Sequence, residues 1–492
     1  MSDPRRHGSA SLALAILFAC ACVPLPALAL TQPEIVIDAG DAAAAEEILI
    51  EETPRPTDGA PGELIIEDAT PAGRDETLVI EADTGPRTES TTDSRQFEIR
   101  IDDVRAEYGY LTRSGAPADN TLYGKISAFA NWQPHPAWEL QLAARADAHD
   151  QDGDNSFSAL KADYGDSFVR YRADNLTLTL GTQTIVWGRM DELPLSDRVS
   201  TADLTRFILD DLEDRRRANP ALRAEAFMGS GKLDLVWLFD FRPAELPDRD
   251  SIWYPIDRDS GRILGFDPQD LPPALVQGAR ISEDEPSGDG GFGARYTRSH
   301  SLADFGVTVA NTRQSTPYFR AAGAGRIEAV YPRSWAYGAD AAIDAGGATW
   351  RLEVLYSSDN PVTRTDQRYT TTPAIAWGGG VEFHPGDGDT RVNLQLMGMN
   401  LVDAPSVIDR EDVYSLNGEV EVPFDRNRWR AKLGFYAGLG EHDVYLNPEI
   451  AFLGWEPHEL YLAVHYFDGD DNTFGGFYEH NSSINLGWRA KF

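Results

Sequence analysis

Cysteine is almost missing from this chain. Its 492 residues include two, Cys20 and Cys22, and five methionines. Both cysteines fall in a segment expected to be removed, which leaves no thiol for a disulfide scaffold, a cysteine zinc site or a nucleophile. Positive charge is scarce as well. There are 44 lysines and arginines against 79 aspartates and glutamates, for a net charge of −35. That argues against a nucleic-acid binder, which needs a basic face. Past the N-terminus no apolar run approaches the roughly 20 residues of an α-helical span. A helical inner-membrane protein is therefore disfavoured. A β-barrel is not, because its strands alternate and keep the mean hydropathy low.

The first residues read as an export signal. Arg5, Arg6 and His7 form a short basic start, 11–23 is apolar, and Ala27-Leu28-Ala29 is an A-x-A cleavage site. Residues 1–29 are thus expected to be a signal peptide, cut after Ala29. Leu17-Phe18-Ala19-Cys20 offers a lipoprotein signal as the alternative, although Phe18 fits that pattern badly. An exported chain without cysteine suits a Gram-negative envelope, where it folds without needing oxidation.

Residues 30–95 carry 17 acidic groups, four arginines, no lysine and no aromatic side chain. Such a segment cannot bury enough apolar surface to offset its ordering entropy, so a disordered tail is expected. Four short motifs recur within it: Ile35-Val36-Ile37-Asp38, Ile48-Leu49-Ile50-Glu51, Leu64-Ile65-Ile66-Glu67 and Leu78-Val79-Ile80-Glu81. They are either compositional drift or tethered docking strands that add to the sheet edge of a periplasmic or inner-membrane transport partner.

All but one of the 50 aromatics fall between residues 97 and 492, where the pattern has period two. Trp138, Leu140, Leu142, Ala144, Ala146 and Ala148 alternate with residues that include Glu139, Arg145 and Asp147. Leu233, Leu235, Trp237, Phe239 and Phe241 repeat the pattern around Asp234 and Asp240. Many segments alternate for about 10–12 residues, enough to cross a bilayer when tilted. Short turns such as Gly346-Gly347 and Asp425-Arg426-Asn427 alternate with long polar loops, as in outer-membrane barrels with short periplasmic turns. The chain ends on Phe492, with Ala490, Trp488, Leu486 and Ile484 alternating back from it. This is like the terminal signal, centred on Phe492 and Trp488, that outer-membrane proteins present to the barrel assembly machinery. Residues 96–492 are therefore expected to form a transmembrane antiparallel β-barrel of about 18 strands, with 16 the alternative count. Its environment is outer-membrane lipid, and both chain ends lie in the periplasm. Such a barrel is wide enough for an aqueous channel unless loops fill it.

Alternate residues place both charge signs on the face away from lipid. The candidate lumen residues are Arg145, Arg170, Arg172, Arg223, Arg351, Arg391, Arg430 and Lys432, with Glu139, Glu225, Asp234 and Glu353. The balance names no charged substrate, and neighbouring strands can neutralise one another. Two loops are candidates for a constriction. In 188–219, Leu204, Phe207, Ile208 and Leu212 have helical spacing behind a cap at Ser200-Thr201-Ala202-Asp203, so a short amphipathic helix folded inward is expected. In 242–290, Trp253, Tyr254, Pro255 and Phe266 suggest a lid or plug.

The run Gly181-Thr182-Gln183-Thr184-Ile185-Val186-Trp187-Gly188, followed by Leu193-Pro194-Leu195-Ser196-Asp197 and Leu222-Arg223-Ala224-Glu225-Ala226-Phe227, resembles the middle of the alginate-export-like outer-membrane barrels. It is most similar to their uncharacterised relatives, a domain of unknown function in which a Gly-x-Gln-x-x-x-Trp-Gly strand end leads into a long inward loop. Some relatives are encoded beside inner-membrane exporters, so the resemblance implies passage of a bulky or hydrophobic molecule. The acidic tail is not part of that pattern.

No cofactor and no resident metal are expected. Asp150-Gln151-Asp152-Gly153-Asp154-Asn155 starts like a calcium loop, but Lys161 stands where the bidentate glutamate belongs, so a solvated loop is expected, with loop calcium the alternative. His480, Asn481, Ser482 and Ser483 are adjacent on a strand, where neighbours face opposite ways, so they do not assemble a triad and no enzymatic activity is expected. The leading reading is a channel coupled through its tail to a transport partner. A general diffusion porin and a plugged barrel with a structural or surface-recognition role are the alternatives. The oligomeric state and the substrate are left open.

Overall fold

In the computed structural model the residues described are 96–492, apart from 192, 193, 324, 387 and 405. The expected signal peptide and the four tail motifs lie outside them. Period-two alternation becomes a single antiparallel sheet in which each strand pairs with the next. The first strands are β1 (Gln96–Leu111), β2 (Asn120–His135) and β3 (Trp138–Asp152). Strand β4 comes in two pieces, Phe157–Tyr164 and Ser167–Arg172, which both pair with β3 across a bulge at Gly165-Asp166. Next come β5 (Leu176–Gln183), β6 (Asn219–Met228), β7 (Gly231–Leu238), β8 (Gly291–Ser299) and β9 (Asp304–Arg313). They are followed by β10 (Arg333–Ala345), β11 (Ala348–Thr363), β12 (Tyr369–Phe383), β13 (Arg391–Leu401) and β14 (Asp412–Phe424). The last are β15 (Trp429–Gly438), β16 (Asp443–Trp455), β17 (His458–Gly469) and β18 (Ser483–Lys491). β18 pairs with β1 from Asp103↔Lys491 to Leu111↔Ser483, and the barrel is closed. Eighteen strands is the larger of the two expected counts.

Closure leaves two faces. Outward side chains are apolar and bare, among them Leu142, Leu160, Leu222, Trp237, Leu352, Leu462 and Leu486. An apolar surface this extensive is that of a barrel standing in lipid. Connections at one end are short. At Gly346-Gly347 both φ angles are positive, +66° and +76°, the two-residue geometry that matches strand twist and favours glycine. The long connections gather at the other end. There 239–290, 314–332 and 402–411 share a core of Phe241, Tyr254, Phe266, Tyr318, Phe319 and Ile408. The expected lid is a packed cap built from three loops.

One expectation fails. Residues 204–214 form consecutive turns and no helix. Phe207 takes a positive φ of 56°, which an α-helix cannot hold, and the Asp203 carboxylate accepts from Thr205 N at 3.0 Å. The apolar spacing is used all the same. Phe207 packs with Trp253, Phe467, Phe477 and Tyr478 beneath the cap. Tertiary contacts with the wall and the cap outweigh a weak local helical preference.

Candidate functional site

The connection between β5 and β6, residues 184–218, crosses the lumen. It leaves β5 through the Gly-x-Gln-x-x-x-Trp-Gly sequence. Gln183 Nε2 donates to Ala221 O at 3.0 Å. Trp187 is buried with Ile185, Val199, Val236 and Leu238, and its Nε1 donates to Asp234 at 3.1 Å. Gly188 then turns the chain with φ +112°. A Cβ there would stand 2.6 Å from both Glu353 Oε1 and Pro194 Cβ. Gly188→Ala therefore combines backbone strain with displacement of Glu353. It is expected to destabilise the protein by about 2 kcal/mol or more, read by thermal unfolding in detergent.

From this turn the segment is fastened to one wall. Glu353 on β11 accepts from Arg189 N at 2.8 Å and from Leu195 N at 2.6 Å. Arg189 pairs with Asp340 on β10 at 2.5 Å. Asp191 receives Arg351 at 2.8 Å and Asn393 on β13 at 2.6 Å. Met190 and Leu195 pack on Leu355, Ala376 and Met397.

The same segment is fastened to the far wall. Asp210 pairs with Arg105 on β1 at 2.9 Å, and Arg206 pairs with Glu107. Asp214 pairs with Lys125 on β2 at 2.6 Å, and Asp203 with Arg145 on β3 at 3.3 Å. Asp211 meets Lys432 on β15 at 3.3 Å and Arg489 on β18 at 3.6 Å. In an eighteen-strand ring β2 and β11 are diametrically opposed, so the segment spans the bore. Ringed by wall cations, the Asp211 side chain is still 56% exposed, so open space adjoins the segment.

These carboxylates do not titrate alike. Lys432, and after it Arg489, hold Asp211 well below the usual carboxylate range. Burial pushes Asp197 and Asp203 up against the pull of Arg216 and Arg145. The contribution of Asp211 is present above the ordinary carboxylate value and is lost only as pH falls through its lowered one. Asp197 and Asp203 behave in the opposite sense. Their protonation favours the folded state, and that contribution fades as pH rises through their raised values. On acidification the Asp203 contact with Arg145 is expected to neutralise first, while Asp211 stays ionised. Carboxyl carbon shifts followed against pH check that order.

The twelve candidate lumen residues all alternate with outward apolar neighbours, and every one has a polar partner. Arg170 and Arg172 reach Glu139 at 3.2 and 2.6 Å. Arg223 reaches Asp234 at 2.6 Å and Glu225 at 3.1 Å. Arg391 bridges Glu382 and Glu419, Arg430 bridges Glu449 and Glu459, and Arg145 reaches Asp147 at 2.7 Å. The structure brings Arg145, Arg351, Lys432, Asp234 and Glu353 to the crossing segment and leaves the other seven in wall pairs. Sequence reasoning missed Asp103, Arg105, Glu107, Lys125, Arg295 and Asp340. Trp488 stacks on His458 with ring centroids 5.7 Å apart, and Phe492 N donates to Asp102 O at 3.0 Å. Asn481 Nδ2 donates to Ile252 O of the cap, and Ser482 Oγ donates to Glu479 O in its own connection. Among the described residues no group of three or more His, Cys, Asp or Glu could hold a metal ion.

A closed barrel with one inward segment leaving a Trp-Gly strand end is now in view, and one family of sequences matches residues 90–473. The chain belongs to DUF1302, a protein family of unknown function. No curated protein matches it. Among solved structures, the fold is similar to OmpF of Salmonella typhi in complex with daunomycin, at 9% identity over 81% of this chain and 98% of that one, TM-score 0.40. It is also similar to OmpT, an outer membrane protein of Vibrio cholerae, with loop L8 deleted, at 10% identity over 81% and 100%, TM-score 0.37. A third is Wzi of Escherichia coli, an outer membrane carbohydrate-binding β-barrel involved in group 1 capsule assembly, at 11% identity over 80% and 85%, TM-score 0.39. The family match agrees with the resemblance to uncharacterised relatives. It does not extend to the alginate-export-like barrels.

Proposed function

We propose that this DUF1302 protein is an outer-membrane channel whose path is set by residues 184–218 and whose N-terminal tail couples it to a periplasmic or inner-membrane transport partner. The observation that carries the channel reading is the segment's attachment to opposite walls of an eighteen-strand barrel. A barrel of that size has room for water beside it. The export signal and the apolar exterior support the outer membrane as its location, with the short turns and the tail on the periplasmic side. A bulky or hydrophobic substrate follows from the resemblance to barrels encoded beside exporters. Coupling follows from the four acidic motifs of the tail.

Planar-bilayer conductance of the refolded chain, with and without residues 30–95, tests both parts. A small conductance of equal size in the two forms is expected, because the segment and not the tail sets the path. In cells, the form lacking 30–95 is expected to lose export of a hydrophobic dye. Large steady conductance, with export intact after the deletion, would make the protein a general diffusion porin. Silence that persists after the segment is released from its wall would make it a plugged barrel with a recognition role.

A further inference from the structure

The seam of the barrel is uneven. β18 accompanies β1 no further than Asp103, and the last amide of the chain, Phe492 N, donates to Asp102 O. Beyond that point β1 continues through 96–101, paired on one side with β2 from Gln96↔Gln133 to Ile101↔Ala128. Among the described residues no strand pairs with its other side. The exposed row there is Phe97, Ile99 and Ile101, at 65, 71 and 47%. The alternate row holds Gln96 and the Glu98–Arg100 ion pair. An unpaired strand edge with an apolar row is a template for strand addition.

We propose that this edge is a docking site for the chain's own tail, with Leu78-Val79-Ile80-Glu81 adding to 96–101 as an antiparallel strand. Three points favour that occupant over a partner. The tail enters the barrel at this same edge. Fourteen residues, 82–95, connect the motif to it and contain the turn pair Gly85-Pro86. The motif's branched apolar triplet suits a sheet edge. Proximity also ranks the four motifs. The connection from Leu64-Ile65-Ile66-Glu67 is twice as long, 28 residues. By the −3/2 power of length its local concentration is about threefold lower. The nearest motif holds the edge, and the distal ones stay free for other contacts. This inference does not rest on the channel reading, since it concerns docking and not flow.

Residues 30–492 contain no cysteine, so engineered pairs report cleanly. Ile99→Cys is combined in turn with Val36→Cys, Leu49→Cys, Ile65→Cys or Val79→Cys in the full mature chain, refolded in detergent and oxidised. Disulfides are counted by mass spectrometry. The control pairs Val79→Cys with Ser230→Cys, in the exposed β6–β7 turn at the same end of the barrel. The 79–99 pair is expected to close within one chain about threefold faster than 65–99, and about tenfold faster than the control. Equal rates at 99 and 230, or disulfides that join two chains, would overturn the proposal. Hydrogen exchange gives a second reading. Deleting 30–93 should speed exchange of the amides in 96–101 that do not bond to β2, and unchanged exchange would also overturn it.

Discussion

Glu353→Ala is expected to enlarge and roughen the conductance and to lower the melting temperature in the same variant. The carboxylate is 3% exposed and accepts two backbone N–H groups of the crossing segment. Alanine leaves the buried Leu195 N–H and the half-buried Arg189 N–H with no side-chain acceptor. A buried donor left unmade costs about 1–3 kcal/mol, so the two together cost about 2–6 kcal/mol. Asp191 still holds to Arg351 and Asn393, so the segment is loosened and not lost. Glu353→Gln keeps one acceptor oxygen and should fall between the parent and the alanine variant. Single-channel recording and thermal unfolding give the two readouts. A Glu353→Ala protein that conducts like its parent would show that this clasp does not set the path.

The second large effect is expected on the opposite wall. Arg206 lies 3.9 Å above the Tyr123 ring and holds Glu107 and Asp210, both almost fully buried. Removing one partner of a buried ion pair costs about 3–5 kcal/mol, because it strands the other charge. Here Arg105 still serves both carboxylates, at 2.8 Å from Glu107 and 2.9 Å from Asp210. Tyr461 OH and Asn485 Nδ2 also donate to Glu107, at 2.5 and 2.9 Å. Arg206→Ala should therefore lie at the lower end, about 3 kcal/mol. Adding Asp210→Ala should recover part of that loss by restoring the charge balance. A double-mutant cycle on melting measures the recovery, and strictly additive losses would show that the two side chains act separately.

The contrast between what the sequence announces and what it hides has physical causes. Strand starts were legible because lipid on one side and charge on the other impose period two along every strand. Positions such as Trp350 to Tyr356 in β11 carry that signal without interruption. β1 hides its inward residues. The bulge between Ile101 and Asp103 shifts the alternation by one, so Asp103, Arg105 and Glu107 fall out of phase with Ile99 and Ile101. The same phase slip at Gly165-Asp166 sets Lys161 and Asp163 inward on one piece of β4 and Arg170 and Arg172 on the next. The crossing segment was legible as an inward loop, because its apolar residues need protein to rest on. Its conformation was not. Helical spacing at Leu204, Phe207 and Leu212 could not foretell that wall cations would claim Asp210, Asp211 and Asp214. Nor does a charge count distinguish Glu353, which accepts amide hydrogens, from Glu139, which faces arginines.

The far tethers of the crossing segment have a consequence for the order of assembly. Arg105 and Glu107 sit on the first strand, while Arg489 sits on the last. Neighbouring Asp210 and Asp211 hold Arg105 on the first strand and Arg489 on the last, so both tethers are in place together only when the two chain ends have met. The segment then locks across the bore only after the seam has shut. Its final contact is a report, written inside the molecule, that the ring is whole.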